Sequence, residues 1–108
     1  KRDENFGPIV LFGLGGIFVE VLKDVVWRLA PLSYEEAERM IGSIRGGRIL
    51  EGIRGGKPSD VETVADLLVR LSLLLVDFPQ IQEIDINPLL VFPEGEGALA
   101  VDARVIVS

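Results

Sequence analysis

Apolar and polar residues alternate through Glu83-Ile84-Asp85-Ile86-Asn87, and the alternation resumes after the segment PEGEG in Val101-Asp102-Ala103-Arg104-Val105. A period of two belongs to a half-buried strand, so this segment constrains the fold more tightly than any other. PEGEG is turn chemistry. The reading is a β-hairpin, with Ile81 to Ile86 and Leu89 to Phe92 on one arm and Ala98 to Val107 on the other. Glu83, Asp85 and Asn87 then share one face, with Ile84 and Ile86 opposite. Asp102 and Arg104 share a face in the same way, with Val101, Ala103 and Val105 behind them. Ile84, Ile86, Val101 and Val105 are expected on a buried side.

A turn centred between Glu94 and Gly95 pairs residues whose numbers sum to 189. Asn87 then lies across from Asp102, and Asp85 across from Arg104. A turn of odd length slides the pairs by one position. Directly opposed Cβ atoms sit roughly 4.5–5.5 Å apart. Two oxygen-bearing side chains at that separation can chelate one Mg ion, whose oxygen ligands lie at about 2.0–2.1 Å. The same pattern also describes a solvated polar face, in which Asp85 and Arg104 form a cross-strand ion pair. Asn87 suits that second reading less well, because Asn is a poor strand residue.

The rest of the chain changes period twice. Ile9 to Phe12, Ile17 to Leu22 and Val25 to Ala30 read as strands of an antiparallel meander, with a tight turn at Lys23-Asp24. Ser33 and Glu36 have capping-box spacing, and Ala37, Met40, Ile41 and Ile44 follow at helical spacing until Gly46-Gly47. Residues 45–57 read as a glycine-rich basic loop. A second capping box, Ser59 with Glu62, is expected to open a long helix to about Asp77, carrying Val61, Val64, Ala65, Leu68, Leu71, Leu74 and Leu75 on a broad apolar face. Phe78-Pro79 ends it. Strands, then helices, then strands give an α+β fold with a mainly antiparallel sheet.

Composition narrows the chemistry. The 108 residues suit one domain, and 48% are apolar. Net charge is −6, which argues against a nucleic-acid partner, since phosphate binding needs a basic surface. The chain holds no cysteine and no histidine, so thiolate sites, disulfides and a histidine base are excluded, and any metal must be held by oxygen. The first residues, KRDEN, carry no apolar signal segment, and the apolar run from Leu71 to Val76 is too short to span a membrane. A cytoplasmic protein is expected. The first residue is not Met, which reads as the interior of a longer protein.

Three further features are candidates. Gly13-Leu14-Gly15-Gly16 can cradle a phosphate through backbone N–H groups, or can simply turn a hairpin; it lacks the Lys-Ser/Thr of a P-loop. Glu20 and Arg28 stand alone in apolar strands, either on an exposed face or in a lined cleft. Trp27 reads as core rather than as a ligand platform.

Three strings coincide with one family. FGPIVLFGLGGIFVEVLKDVVWRLAPLS, EGIRGGKPSD and EIDINPLLVFPEGEGALAVDARV resemble, in order, the C-terminal half of the ATP-grasp domain of ADP-forming acetyl-CoA synthetases, the NDP-forming acyl-CoA synthetase family. The last string is more distantly similar to the EINPL hairpin of the succinyl-CoA synthetase β subunit. The resemblance implies a partial ATP-grasp sheet with flanking helices, and an acid–thiol ligase that interconverts acyl-CoA, ADP and phosphate with acid, ATP and CoA through a phosphohistidine. It implies Mg²⁺ and ATP/ADP as cofactors, with Asn87 and Asp102 as metal ligands. It makes Gly15, Gly16 and Asp85 candidates for nucleotide binding, and Arg104, Glu20 and Arg28 candidates for catalysis. It further implies a CoA-binding α subunit or domain and an N-terminal ATP-grasp lobe as partners; the mean hydropathy of +0.38 adds the expectation of exposed apolar patches and an oligomeric assembly. A regulatory or non-catalytic ATP-grasp-like module, such as one fused to a protein acetyltransferase, is the alternative.

Overall fold

A computed structural model describes residues 1–13, 25–44 and 57–108. The expected strand Ile17 to Leu22, the Lys23-Asp24 turn and the Gly46-Gly47 stop lie outside the described residues. Near the start, β1 (Arg2–Asp3), β2 (Gly7–Gly13) and β3 (Val25–Leu29) form an antiparallel sheet in that order. Val10 pairs with Arg28 and Leu11 with Trp27, so Val10, Phe12 and Val26 share the face that meets the core. Lys1 and Ile9 exchange both backbone hydrogen bonds, at 2.8 and 3.0 Å, which carries the β1 pairing one residue further.

Helix α1 (Tyr34–Ser43) begins at the expected capping box: the Ser33 hydroxyl accepts from the Glu36 N–H, and the Glu36 carboxylate accepts from the Ser33 N–H. Ala37, Met40 and Ile41 are buried at helical spacing. Helix α2 (Val61–Asp77) starts differently from expectation. Ser59 forms a bridge with Pro93 and is extended, so the cap passes to Asp60, whose Oδ1 accepts from the Thr63 N–H at 3.1 Å. Val64, Ala65 and Leu68 pack against Met40, Ile41 and Val10 to form the core. Burying such side chains stabilises by roughly 1.5–3 kcal/mol each before conformational entropy is subtracted. Leu74 is exposed, so the buried stripe of α2 is narrower than the sequence suggests.

Two polar side chains hold elements together from within. Ser72 is fully buried; its hydroxyl accepts from the Leu32 N–H at 3.0 Å and donates to the Val69 carbonyl at 2.7 Å. The Arg2 guanidinium donates to the carbonyls of Leu75, Phe78 and Ile81. It thereby brings a cation to the C-terminal end of α2, whose last turn contains no basic residue.

The last third is the expected hairpin in two parts. Strand β4 (Ile81–Ile86) pairs with β7 (Ala103–Val107), and β5 (Leu89–Val91) pairs with β6 (Ala98–Ala100), both antiparallel. The architecture is α+β with antiparallel sheets. No helix among the described residues is long and apolar enough to cross a membrane.

Candidate functional site

The ladder keeps one register from Glu83 opposite Ile106 to Val91 opposite Ala98, every pair summing to 189. Between the two strand pairs, the Asn87 N–H donates to the Asp102 carbonyl at 3.1 Å, and the Val101 N–H donates to the Pro88 carbonyl at 3.0 Å. Asn87 and Asp102 are therefore opposed, as the turn arithmetic requires. The turn closes with the Phe92 N–H on the Gly97 carbonyl at 3.0 Å, and Gly95 and Gly97 have φ of 85° and 84°. Those left-handed angles suit glycine and strain other residues. A bulge at Gln82, between the pairs of Ile81 and Glu83, ends the regular register.

Asp85, Asn87, Asp102 and Arg104 alternate onto one face of this ladder, and all four are exposed. Asp85 is directly opposite Arg104, yet they do not form the cross-strand ion pair that the polar-face reading offers; among the described residues the ion pair within 4.0 Å is Arg70 with Asp66, at 2.9 Å. Both side chains stand in solvent, where an ion pair gains little. The expected burial of the opposite face also fails. Ile84 and Ile86 are half-buried, but Val101 and Val105 are each 55% exposed: among the described residues nothing covers that side of the second arm.

A cleft of about 770 Å³ runs beside this hairpin. Its walls are β2 from Ile9 to Gly13 and the stretch from Glu83 to Val91; leucines of α2 form the floor. Asp85 and Asn87 line it, whereas Arg28 does not. Arg28 is exposed in a separate shallow depression beside Glu36, and its Nη1 donates to the Trp27 carbonyl at 2.8 Å. Trp27, expected in the core, is 47% exposed and lies against Phe6 with ring centroids 5.6 Å apart. Its strand partner Leu11 is also on the outward face of the sheet, away from the core formed by the described residues. Gly15, Gly16 and Glu20 lie outside the described residues.

Sequence reasoning misses Asp60. Its Oδ2 accepts from the Gly97 N–H at 2.7 Å, and its own N–H donates to the Phe92 carbonyl at 2.8 Å, tying the start of α2 to the hairpin turn. The Gly97 and Thr63 bonds favour the charged carboxylate and lower its pKa below the usual 3.8. Asp at the start of a helix is itself a cap signal, but Ser59 with Glu62 offers a competing capping box.

Among the described residues, no three Asp, Glu, His or Cys side chains gather as a metal cluster. The arrangement offers two opposed oxygen-bearing residues on an open face.

Comparison with known proteins decides the family: the ATP-grasp domain matches residues 1–107. The chain belongs to the ATP-grasp family. Its relatives include the β subunit of acetate–CoA ligase [ADP-forming] I of Pyrococcus furiosus, 51% identical over 106 residues, covering 98% of this chain and 45% of that subunit. Acetate–CoA ligase [ADP-forming] I of Archaeoglobus fulgidus is 48% identical over 107 residues, covering 99% of this chain and 15% of that protein. Among solved structures, the dinucleotide-forming acetyl-coenzyme A synthetase 1 of Ca. Korarchaeum cryptofilum, in complex with coenzyme A and Mg-AMPPCP, matches at 45% identity and a TM-score of 0.91. The match covers 99% of this chain and 49% of that one. This ATP-grasp chain thus spans less than half the length of these relatives.

Proposed function

We propose that this chain is the Mg–nucleotide-holding part of an ADP-forming acyl-CoA synthetase, which interconverts acyl-CoA, ADP and phosphate with carboxylic acid, ATP and CoA. The observation that carries the reading is the hairpin register, which opposes Asn87 and Asp102. The donor set fits a hard cation: both residues offer oxygen, and the chain has neither His nor Cys. Two protein ligands suit Mg²⁺, which keeps waters and substrate phosphates in the rest of its shell. When bound, Mg²⁺ neutralises charge on nucleotide phosphate oxygens.

The chain's own residues then position and bind. Asn87 and Asp102 would hold the cation from the two opposed arms of the hairpin, Asp102 with a full negative charge. Arg104 and Asp85, on the same face, are placed to orient phosphates and nucleotide. Gly15 and Gly16 are proposed as nucleotide contacts, and Glu20 and Arg28 as catalytic candidates. The phosphorylated histidine must lie elsewhere, since this chain has none. The Korarchaeum structure carries a phosphohistidine segment that points towards the nucleotide binding site. A CoA-binding α subunit or domain and an N-terminal ATP-grasp lobe supply the remaining parts, within an oligomer. Relatives named as ligases support this over a purely regulatory module.

The test uses the complete parent enzyme. Asp102→Ala is expected to cut turnover by about a hundredfold or more, as for loss of a preorganised electrostatic group, and to raise the Mg²⁺ requirement. Wild-type turnover with wild-type Mg²⁺ dependence would overturn the assignment.

A further inference from the structure

Asp60 grips the turn that joins the two arms of the hairpin. It is 5% exposed, and each carboxylate oxygen has its own partner. Oδ1 accepts from the Thr63 N–H in the first turn of α2, and Oδ2 accepts from the Gly97 N–H at 2.7 Å. Neighbouring main chain adds to the grip: the Asp60 N–H donates to the Phe92 carbonyl, the Glu94 N–H donates to the Pro58 carbonyl at 2.9 Å, and Ser59 bridges Pro93. The Gly97 carbonyl accepts from Phe92, so both main-chain polar groups of Gly97 are held.

The two arms differ in what else holds them. The first rests on the core through Leu89 and Val91. On the second, every residue from Leu99 to Ser108 is exposed, so little apolar burial fixes its place. Asp102 stands on this second arm, in the gap between the β4–β7 and β5–β6 pairs. Pro88 lies in the same gap and has no N–H to give the ladder. The bonds from Asn87 to Asp102 and from Val101 to Pro88 cross it. The ladder thus sets which residue Asp102 faces, while the Gly97 end ties the second arm to α2.

We infer that Asp60 is a positioning residue: through the Gly97 N–H it holds the second arm, and with it Asp102, in place to share a cation with Asn87. The inference rests on the metal reading above. The main-chain bonds of residues 58–60 hold the turn whatever side chain stands at position 60; the carboxylate adds the reach to Gly97. An ionised acceptor makes that bond stronger than its neutral neighbours. Small displacements of the arm matter, because Mg²⁺ demands near-ideal octahedral geometry.

Asp60→Ser and Asp60→Asn separate this role from helix capping, since Ser and Asn cap about as well as Asp. Ser is too short to serve Thr63 and Gly97 together, and Asn has one oxygen where Asp60 uses two. Both variants are made in the full-length parent enzyme. Without nucleotide or magnesium, amide exchange at Val101 is expected to quicken by about tenfold, while exchange at Leu68, inside α2, stays within about threefold of wild type. An unchanged Val101, or an equal rise at Leu68, overturns the inference whatever the metal does. With magnesium, the concentration for half-maximal turnover should rise by about tenfold, as for loss of a group that orients a metal ligand. Turnover at saturating magnesium should recover most of the wild-type value. A helix cap alone would leave both quantities unmoved. Asp102→Ala is the control. If it raises the magnesium requirement and the Asp60 variants do not, the inference is overturned and the metal reading stands. If none of the three does, the metal reading fails and takes this role of Asp60 with it. If Asp60→Ser does not fold, Asp60→Asn decides.

Discussion

The main-chain N–H of Asn87 donates to the main-chain carbonyl of Asp102 at 3.1 Å, so the backbone alone holds the two residues opposite each other. Their side chains are therefore free of any part in setting the register. Asn87→Ala in the parent enzyme is expected to leave the melting temperature within about 2 °C of wild type, as for an exposed substitution. It should raise the Mg²⁺ concentration for half-maximal activity, by less than Asp102→Ala does, because a neutral amide binds a hard cation more weakly than a carboxylate. Magnesium titrations of both variants, with thermal melts alongside, check the order. Equal effects, or a large loss of stability, would contradict it.

Asp60 gives a pH dependence with a defined sign. Its folded pKa lies below 3.8, so its contribution is fully present above about pH 4 and is lost as pH falls through the folded value. Asp60→Asn keeps an acceptor for Thr63 but cannot ionise, so the variant should lose part of the wild-type drop in stability as pH falls below about 4. Asp60→Ala should melt several degrees lower than wild type at pH 7. Urea unfolding across that range measures both.

Ser72 carries a buried bond that no apolar residue can replace. In Ser72→Ala the Leu32 N–H loses its partner in a buried setting. The expected cost is about 1–3 kcal/mol. Ser72→Thr retains the hydroxyl, but its extra methyl must enter a fully buried site, so recovery should be partial. Denaturant unfolding of both variants reads this out.

Arg2 bonds three carbonyls with one planar group. Arg2→Ala should destabilise by roughly 2 kcal/mol, since charged hydrogen bonds contribute more than neutral ones. Arg2→Lys should recover less than half, because an ammonium is a point donor and cannot reproduce the fork. Near-complete rescue by lysine would show that charge at the end of α2 matters more than geometry.

What the sequence made legible was local. Ser33 and Glu36 are three apart, and the hairpin register follows from one turn, so neighbouring residues carry the signal. The residues it hid act across the chain. Ser72 meets Leu32 at a separation of 40 residues, Asp60 meets Gly97 at 37, and Arg2 meets Ile81 at 79. Nothing in their own neighbourhoods distinguishes them; Ser72 reads merely as a polar break in an apolar run. The exposure of Trp27, Val101 and Val105 was equally hidden, because alternation tells which residues share a face and not whether anything covers it. For the proposed site, the pairing of Asn87 and Asp102 was open to arithmetic. The separation of Arg28 from the cleft depends on how two sheets are arranged, which no local pattern encodes.

The closed turn from Pro93 to Gly97 makes the hairpin sensitive to length. Insert one residue there while the turn keeps its shape, and Asn87 comes to face Val101 while Asp102 slips past its partner. A one-residue slip turns every side chain of the moving arm to the other side of the sheet. The two left-handed glycines hold that shape, so they act as a gauge. Among natural or engineered versions of this hairpin, loops of a different length are expected only where an extra residue is absorbed as a bulge, as Gln82 already is at the far end of β4.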